Sequence, residues 1–387
     1  MDTIPFNLLM LVVDFALLWA LWLLPIKRSL LWALLGPLGA GFIGLLAIVF
    51  FAKLLNNNVG QCICHGLFWH GGFFLILCAA ILLLRGRWRL AFIPITFSIL
   101  AFVTGFYALV YEPYALQLEH YVIYTPKLKK PLRVAFLADI QTDRLGPYEH
   151  DTLRMLMEQQ PHLIILGGDY LQLYMGGKPG EMEELTEQFR TLLKSHQLTA
   201  PLGVFAVGGN LDPAGETGAM EKVFEGTGVT IHTFTRIYEN LGGDSPDSFG
   251  PIDLTLLMKD VSFNEYQGDM PKTGNFHIMV GHSPAFMVTE AERPEIAPDL
   301  MLAGHTHGGQ VVLPFFGALG THLFTKRDRP LPREWGASGF YPIGNNKWVL
   351  ISRGSGMERG WAPRVRFFCP PEISVIDILP GEAGKSD

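Results

Sequence analysis

Cysteine is scarce in this chain, and so is charge. Its four cysteines include Cys62 and Cys64, one residue apart, and Cys78 inside an apolar run; no C-x-x-C pair or zinc-knuckle spacing occurs. That excludes a disulfide framework and a thiolate metal site as organising features. Charged residues make up 17% of the chain, the net charge is −6, and there is no long Lys/Arg run. The electrostatic footprint of a nucleic-acid binder is therefore missing, and no nucleic-acid partner is expected. No lysine or arginine precedes Lys27, so the first apolar run lacks the basic start of a secretory signal. It is also longer than a signal core, and further runs of the same kind follow it. The expectation is a retained membrane segment.

What is abundant is apolar sequence, and it is unevenly placed. Hydrophobic residues are 49% of the total, with the excess within residues 1–112. Four runs, roughly Phe6–Ile26, Leu30–Phe51, Gly66–Leu84 and Leu90–Val110, approach the ~20 residues a helix needs to cross a bilayer. They predict a four-helix transmembrane domain over 1–112 and make the lipid bilayer a partner. Lys27, Arg28, Arg85, Arg87 and Arg89 lie in the connections on one side, against Lys53 on the other. By the positive-inside rule the first group faces the cytoplasm, and whatever follows the fourth span is extracytoplasmic. Lys127, Lys129, Lys130 and Arg133 pull the other way, but from the edge of the distance over which the rule counts. Asp14, in the middle of the first run, is costly in hydrocarbon and is expected to face other helices as a packing residue, with a proton or substrate contact as the alternative.

Beyond a linker at 113–131 the pattern changes to short apolar runs separated by turns and amphipathic helices. "RVAFLAD" (Arg133–Asp139) and "HLIILGGD" (His162–Asp169) read as buried strands ending in a carboxylate. "GVFAVGGN" (Gly203–Asn210) ends in an amide, "HIMVGH" (His277–His282) in an imidazole, and "LMLAGHTH" (Leu300–His307) in two. The helical patterns "HDTLRMLMEQQ" and "EELTEQFRTLLKSHQ" separate the first three, which implies a mainly parallel sheet buried on both faces. Ligands bind at the carboxyl ends of such strands. Each ending alone has an ordinary explanation as a helix cap, a turn or a loop histidine; five in succession do not. Oxygen and imidazole donors without thiolate suit Mn, Fe, Zn or Mg, and so many donors suit two ions better than one.

In order, "ADIQ", "GGDY", "GGNLD", "VGHSP" and "AGHTHGGQ" resemble the D-x-H, GD, GN-H-[DE], GH and GHxH motifs of the calcineurin-like metallophosphoesterases. The likeness runs from about Leu132 to Leu379. "APLGVFAVGGN", "GHTHGGQ" and the closing "VLISRGSG…PPEISVIDIL" look most like a bacterial, membrane-anchored branch, which contains enzymes similar to the UDP-2,3-diacylglucosamine pyrophosphohydrolases of lipid A synthesis. The resemblance implies an α/β domain over 132–380, a β-sandwich flanked by helices, with 381–387 as a flexible tail. It implies two divalent ions, Mn first and Mg, Fe or Zn as alternatives. Asp139, Asp169 and His307 would hold one, and Asp169, Asn210, His282 and His305 the other, with Asp169 bridging. A hydroxide between the ions would attack a phosphate ester or pyrophosphate, lipid-linked in this branch, at a bacterial inner or plasma membrane.

Two positions depart from the family pattern. Gln141 stands where D-x-H has its histidine; its carbonyl oxygen would be a weaker, harder donor favouring Mn or Mg. Asp143, two residues on, is a carboxylate that could stand in. Leu211 occupies the place of the histidine that protonates the leaving oxygen, and leucine carries no proton to give. Asp212 is left beside it as the acid candidate. General acid catalysis contributes typically 10²–10⁴-fold, a loss that matters less when the leaving group is itself a phosphate. Arg353, after the strand "KWVLISRG", is the substrate-binding candidate; Arg364 and Arg366 follow closely, as further substrate-side candidates or as solvated surface arginines. The rival from another class is a catalytically weakened metal-binding sensor or scaffold. Nothing in the sequence sets the oligomeric state.

Overall fold

The computed structural model describes residues 4–381, apart from 24–29, 56, 174–176, 213–218, 233, 246, 264–267, 269–270, 272, 293–294, 319–331, 333–334, 336, 345 and 361. Lys27 and Arg28, the end of the first predicted span, and nearly all of the predicted tail lie outside the described residues. Two compact units are present: Met1–Tyr111 with Glu358–Val365, and Glu112–Met357 with Arg366–Asp387.

In the first unit the apolar runs are helical. Three helices among the described residues are long and apolar enough to cross a membrane: Ile4–Leu23, Val59–Leu84 and Trp88–Tyr114. Of the four expected spans, three are thus identified among the described residues. The second predicted run folds as the helix Leu30–Leu54, but its described apolar part, Gly39–Leu54, is shorter than a crossing length. The third begins at Val59, earlier than its apolar core, because the Asn58 side chain caps it by accepting from Gln61 N at 2.8 Å. Leu8, Val12, Trp19, Phe97 and Leu100 are exposed, as expected of side chains that meet hydrocarbon. Asp14 is buried, and its Oδ2 lies 2.8 Å from His70 Nδ1, whose Nε2 is 3.3 Å from Asn7 Oδ1. The intramembrane carboxylate is thus paired across helices, which limits its desolvation penalty. Glu358–Val365 joins this unit through Asn58 Nδ2, which donates to Gly360 O (2.8 Å), and through Arg364 N, which donates to Gln61 Oε1 (2.6 Å).

In the second unit the strands run β1 (Gln117–Thr125), β2 (Leu132–Leu137), β3 (Leu163–Leu166), β4 (Val204–Ala206), β5 (Val229–Ile231), β6 (Arg236–Tyr238) and β7 (Ile252–Leu256). They continue as β8 (Phe276–Val280), β9 (Leu300–Ala303), β10 (Val312–Leu313), β11 (Gly317–Ala318), β12 (Gly339–Pro342), β13 (Trp348–Ile351) and β14 (Glu372–Pro380). One six-stranded sheet has the order β1-β14-β2-β3-β4-β5, a second β12-β13-β9-β8-β7-β6, and β10-β11 is a separate hairpin. β2, β3, β4 and β5 are parallel, as are β7, β8, β9 and β13. The segment expected as a linker, 113–131, instead contributes β1, paired with β14 over its whole length.

Side-chain alternation sorts the layers. Val134, Phe136 and Ala138 of the first sheet pack with Ile278, Val280, Leu300 and Leu302 of the second. Their neighbours Ala135 and Leu137 point the other way, onto Leu153, Leu156, Phe189 and Leu193. These come from the helices Pro147–Glu158 and Glu181–His196, the two amphipathic patterns legible in the sequence. On the far side, Met279, Met301 and Ala303 pack with Phe286 and Met287 of the helix Ala285–Ala291. Two sheets with helices on both outer faces are the result, because every strand has two apolar faces to cover.

Candidate metal centre

All five ligand-bearing turns follow directly on strands: β2, β3 and β4 in one sheet, β8 and β9 in the other. A strand cannot aim its last side chain into a shared rim while staying extended, and the backbone changes hand there. Asp139 (φ 52°), Gln141 (φ 37°), Asp169 (φ 54°), His305 (φ 71°) and His307 (φ 50°) all occupy the left-handed region, which non-glycine residues rarely adopt and which collects at functional sites. The glycines before the ligands allow the turns to close on one another. A Cβ on Gly209 would sit 2.1 Å from Asp169 Oδ1 and 2.3 Å from its backbone N, so no side chain fits there.

Asp169 is at the centre. Ligating atoms of Asp169, His282 and His305 all lie within 4.8 Å of one another. His282 Nε2 is 3.3 Å from Asp169 Oδ2 and 3.1 Å from Asn210 Oδ1, and its Nδ1 lies 3.9 Å from Asp139 Oδ1. The His282 Nδ1–H donates to Gly167 O at 2.8 Å, so Nε2 is the nitrogen that faces the two oxygens and would turn an electron pair to a metal in place of its proton. A backbone carbonyl fixing the far nitrogen in this way is the usual support of a metal-bound imidazole. Asp139 accepts His305 N at 2.9 Å on Oδ2 and is fully buried. His307 is buried, and its Nδ1 has no hydrogen-bond partner.

The electrostatics describe a site that wants positive charge. Burial, with Asp169 adding to it against the pull of His282, raises the Asp139 carboxyl to about 7. Burial would also raise Asp169, but the His282 charge and hydrogen bonds outweigh it and hold the group at about 2. His282 is pushed up to about 10, because Asp169 and Asp139 overcome its desolvation. A lone proton on His282 is compensating two buried carboxylates, the task a divalent cation performs better. His307 moves the opposite way: burial, and then the Arg366 charge, lower it well below the ordinary range, so it is a neutral imidazole. Carboxylate, amide and neutral imidazole donors with one orphaned ring nitrogen fit divalent metal.

Other expected residues are placed differently. Asp212 does not face the rim as an acid: its Oδ2 accepts from Asp169 N (2.8 Å) and Gly209 N (2.7 Å), and its Oδ1 from Tyr170 N (2.9 Å). Burial, followed by Asp169, raises it to about 6, but three backbone donors engage the oxygens that would have to deliver a proton. Its role is to tie the GD turn to the GN turn. Gln141 turns its Nε2 to Asp169 Oδ2 at 2.9 Å, so ligation through its carbonyl oxygen would need the amide turned over. Asp143 lies outside the three-residue cluster around Asp169. Arg353 is ion-paired with Glu119 and with Glu372 Oε2 (2.7 Å), which commits its charge away from a substrate. Leu211 donates its backbone N to Asp169 Oδ1 at 2.8 Å and leaves its side chain half-exposed.

Sequence reading missed two residues. Arg366, which reads as a substrate-side or a surface arginine, is neither: it is fully buried and donates to the carbonyls of Arg353, Gly354, Gly356 and Cys369. It holds the turn whose Gly356 N donates to Asp139 O at 2.7 Å. Phe263 stacks edge-on to His305, ring centroids 4.8 Å apart. Neither carries a motif; Arg366 had a faint signal in its position between two glycine-rich turns and the last strand.

Residues 132–309 match the model of the calcineurin-like phosphoesterase family. This part of the chain is a calcineurin-like phosphoesterase domain, and its relatives support a metal-dependent phosphohydrolase. Among its relatives are the uncharacterized metallophosphoesterase YkuE of Bacillus subtilis, 27% identical over 57% of this chain and 69% of that protein, and the phosphodiesterase YaeI of Escherichia coli, 26% identical over 75% and 99%. The UDP-2,3-diacylglucosamine pyrophosphatase LpxG of Chlamydia muridarum is 24% identical over 64% of this chain and 84% of its own.

Proposed function

We propose that the chain is a membrane-anchored dimetal phosphoesterase that hydrolyses a phosphate ester or pyrophosphate carried on a lipid. The observation that supports it most is the convergence around Asp169: His282 Nε2 lies 3.3 Å from its Oδ2 and 3.1 Å from Asn210 Oδ1, ligating atoms of Asp169, His282 and His305 fall within 4.8 Å of one another, and His307 Nδ1 is buried without a hydrogen-bond partner. On this reading Asp139, Asp169 and His307, with Gln141 as a weak fourth donor, hold one ion, and Asp169, Asn210, His282 and His305 the other. Mn is the favoured metal. Bound ions would polarise the phosphoryl group and lower the pKa of water at the site. The chain's own part is positioning. Gly167 O keeps His282 in one tautomer, Leu211 N neutralises one oxygen of Asp169, and Asp212 locks two ligand turns together. No side chain at position 211 can protonate a leaving oxygen, so a leaving group that departs as a stable anion is favoured. The pyrophosphatase among the relatives acts on such a bond.

The test is a screen of the full chain with Mn. Aryl phosphoesters and a lipid pyrophosphate should be turned over, and cyclic AMP and dialkyl phosphates left nearly intact. Preference for cyclic AMP over the lipid pyrophosphate would overturn the substrate class.

Orientation follows from charge. Arg85, Arg87 and Arg89 cluster around the turn between Val59–Leu84 and Trp88–Tyr114, and such turns remain cytoplasmic. The last span then leads outward, whatever the number of spans before it, and the phosphoesterase domain is extracytoplasmic. A reporter fused after Asp387 should be active only outside the cytoplasm. Cytoplasmic reporter activity would reverse the orientation and bring nucleotide-linked lipid A precursors within reach as substrates.

A further inference from the structure

The turn of the β10–β11 hairpin presents Phe315 and Phe316 to the outside, 105% and 84% exposed, and Phe368 nearby is 53% exposed. A soluble surface does not gain from three such rings, and large exposed apolar groups gathered on one part of a fold mark interaction sites. Two of them are held there against backbone preference: Phe315 has φ 70° and Phe368 φ 51°, an outlier conformation for bulky residues. The hairpin is not a loose appendage of the metal site. Val312 N donates to Phe367 O and Phe367 N to Gln310 O, both at 2.9 Å. A Cβ on Gly309, two residues past His307, would collide with Ala318 of β11 at 2.6 Å.

The occupant of this surface is indicated by Glu112. Its carboxylate accepts from Phe368 N and Cys369 N, each at 2.8 Å, and is almost fully buried. Glu112 belongs to the last turn of the crossing helix Trp88–Tyr114. That end carries Tyr111 and Tyr114, 58% and 56% exposed, the aromatic residues that sit at a membrane–water boundary. Phe368 is therefore clamped to the residue that marks where the span leaves the bilayer, and the hairpin is bonded to the residue beside it.

We propose that Phe315 and Phe316, together with Phe368, form an aromatic wedge that enters the bilayer interface beside the metal centre, so that phosphate groups are met at the lipid surface. This deepens the membrane-anchored reading and rests on it. Aromatic rings lower into the headgroup boundary as they do on interfacial helices, and the metal-binding turn packed behind them follows.

The experiment uses the full chain in nanodiscs of phosphatidylethanolamine and phosphatidylglycerol. Phe315→p-benzoylphenylalanine, Phe316→p-benzoylphenylalanine and, as control, Asp247→p-benzoylphenylalanine are irradiated separately and their masses measured. Asp247 has a fully exposed side chain. Adducts of lipid mass at 315 and 316, and none above the unirradiated background at 247, are expected. Lipid adducts no more frequent at 315 and 316 than at 247, or adducts to a second copy of the chain instead, would overturn the wedge. The substrate screen is independent of this readout: lipid adducts in a chain that hydrolyses no phosphate would uphold the wedge and remove the enzymatic reading.

Discussion

Asp169→Asn should leave a folded protein that binds no divalent metal at the rim and has lost its turnover. The substitution keeps the size of the side chain and removes one charge and one oxygen. In the native site Oδ1 is engaged by Leu211 N, and Oδ2 is the atom that His282 and Gln141 both approach. Among the described residues, Asp169 is the carboxylate in the cluster with His282 and His305. Two Mn ions per chain should fall to none by elemental analysis after gel filtration. Metal catalysis is worth several kcal/mol of barrier, so the rate should drop by on the order of 10³-fold or more. Gln141→Ala should weaken mainly one ion, the one to which its side chain is proposed as the weak fourth donor. Two ions retained by Asp169→Asn would remove the bridging role.

The second large effect is a gain. Leu211→His should raise turnover of substrates with poor leaving groups by up to about 10²-fold, the contribution of one positioned acid, and change good leaving groups little. The structure strengthens the case, because Asp212 is taken up by three backbone donors and is no substitute. The contact that position 211 makes with Asp169 runs through its backbone N–H, which histidine keeps. Rates of alkyl and aryl esters, compared in the natural and substituted proteins, decide the matter. Equal rates on both in the natural protein would mean that another proton donor exists. No turnover of any phosphate, with two metals bound, would favour the sensor or scaffold reading.

The sequence by itself determined which residues could do chemistry and where apolar surface had to be covered. Asp139, Asp169, Asn210, His282, His305 and His307 were legible because each lies where an apolar run ends, for all but Asp139 at a glycine-bearing turn, a pattern that packing alone does not produce. The helices Pro147–Glu158 and Glu181–His196 were legible from period, and the membrane-length helices from unbroken apolarity. Local pattern failed where partners are distant in sequence. β1 reads as linker along the chain, since its mixed composition makes a strand only when β14, more than 240 residues later, pairs with it. Arg353 and Asp212 were assigned to chemistry because a charge near a motif looks available; their partners Glu119, Glu372 and the Asp169 and Gly209 amides come from other elements.

Above all, the five strand ends suggest one parallel sheet when read along the chain, and the fold places them in two. Only the tertiary structure decides that the carboxyl ends of β2, β3 and β4 face those of β8 and β9. The physical reason is the alternation that buries Phe136 against Leu302 while sending Leu137 to the helices: stacking the two sheets through one shared apolar layer brings both sets of ligand turns to the same edge.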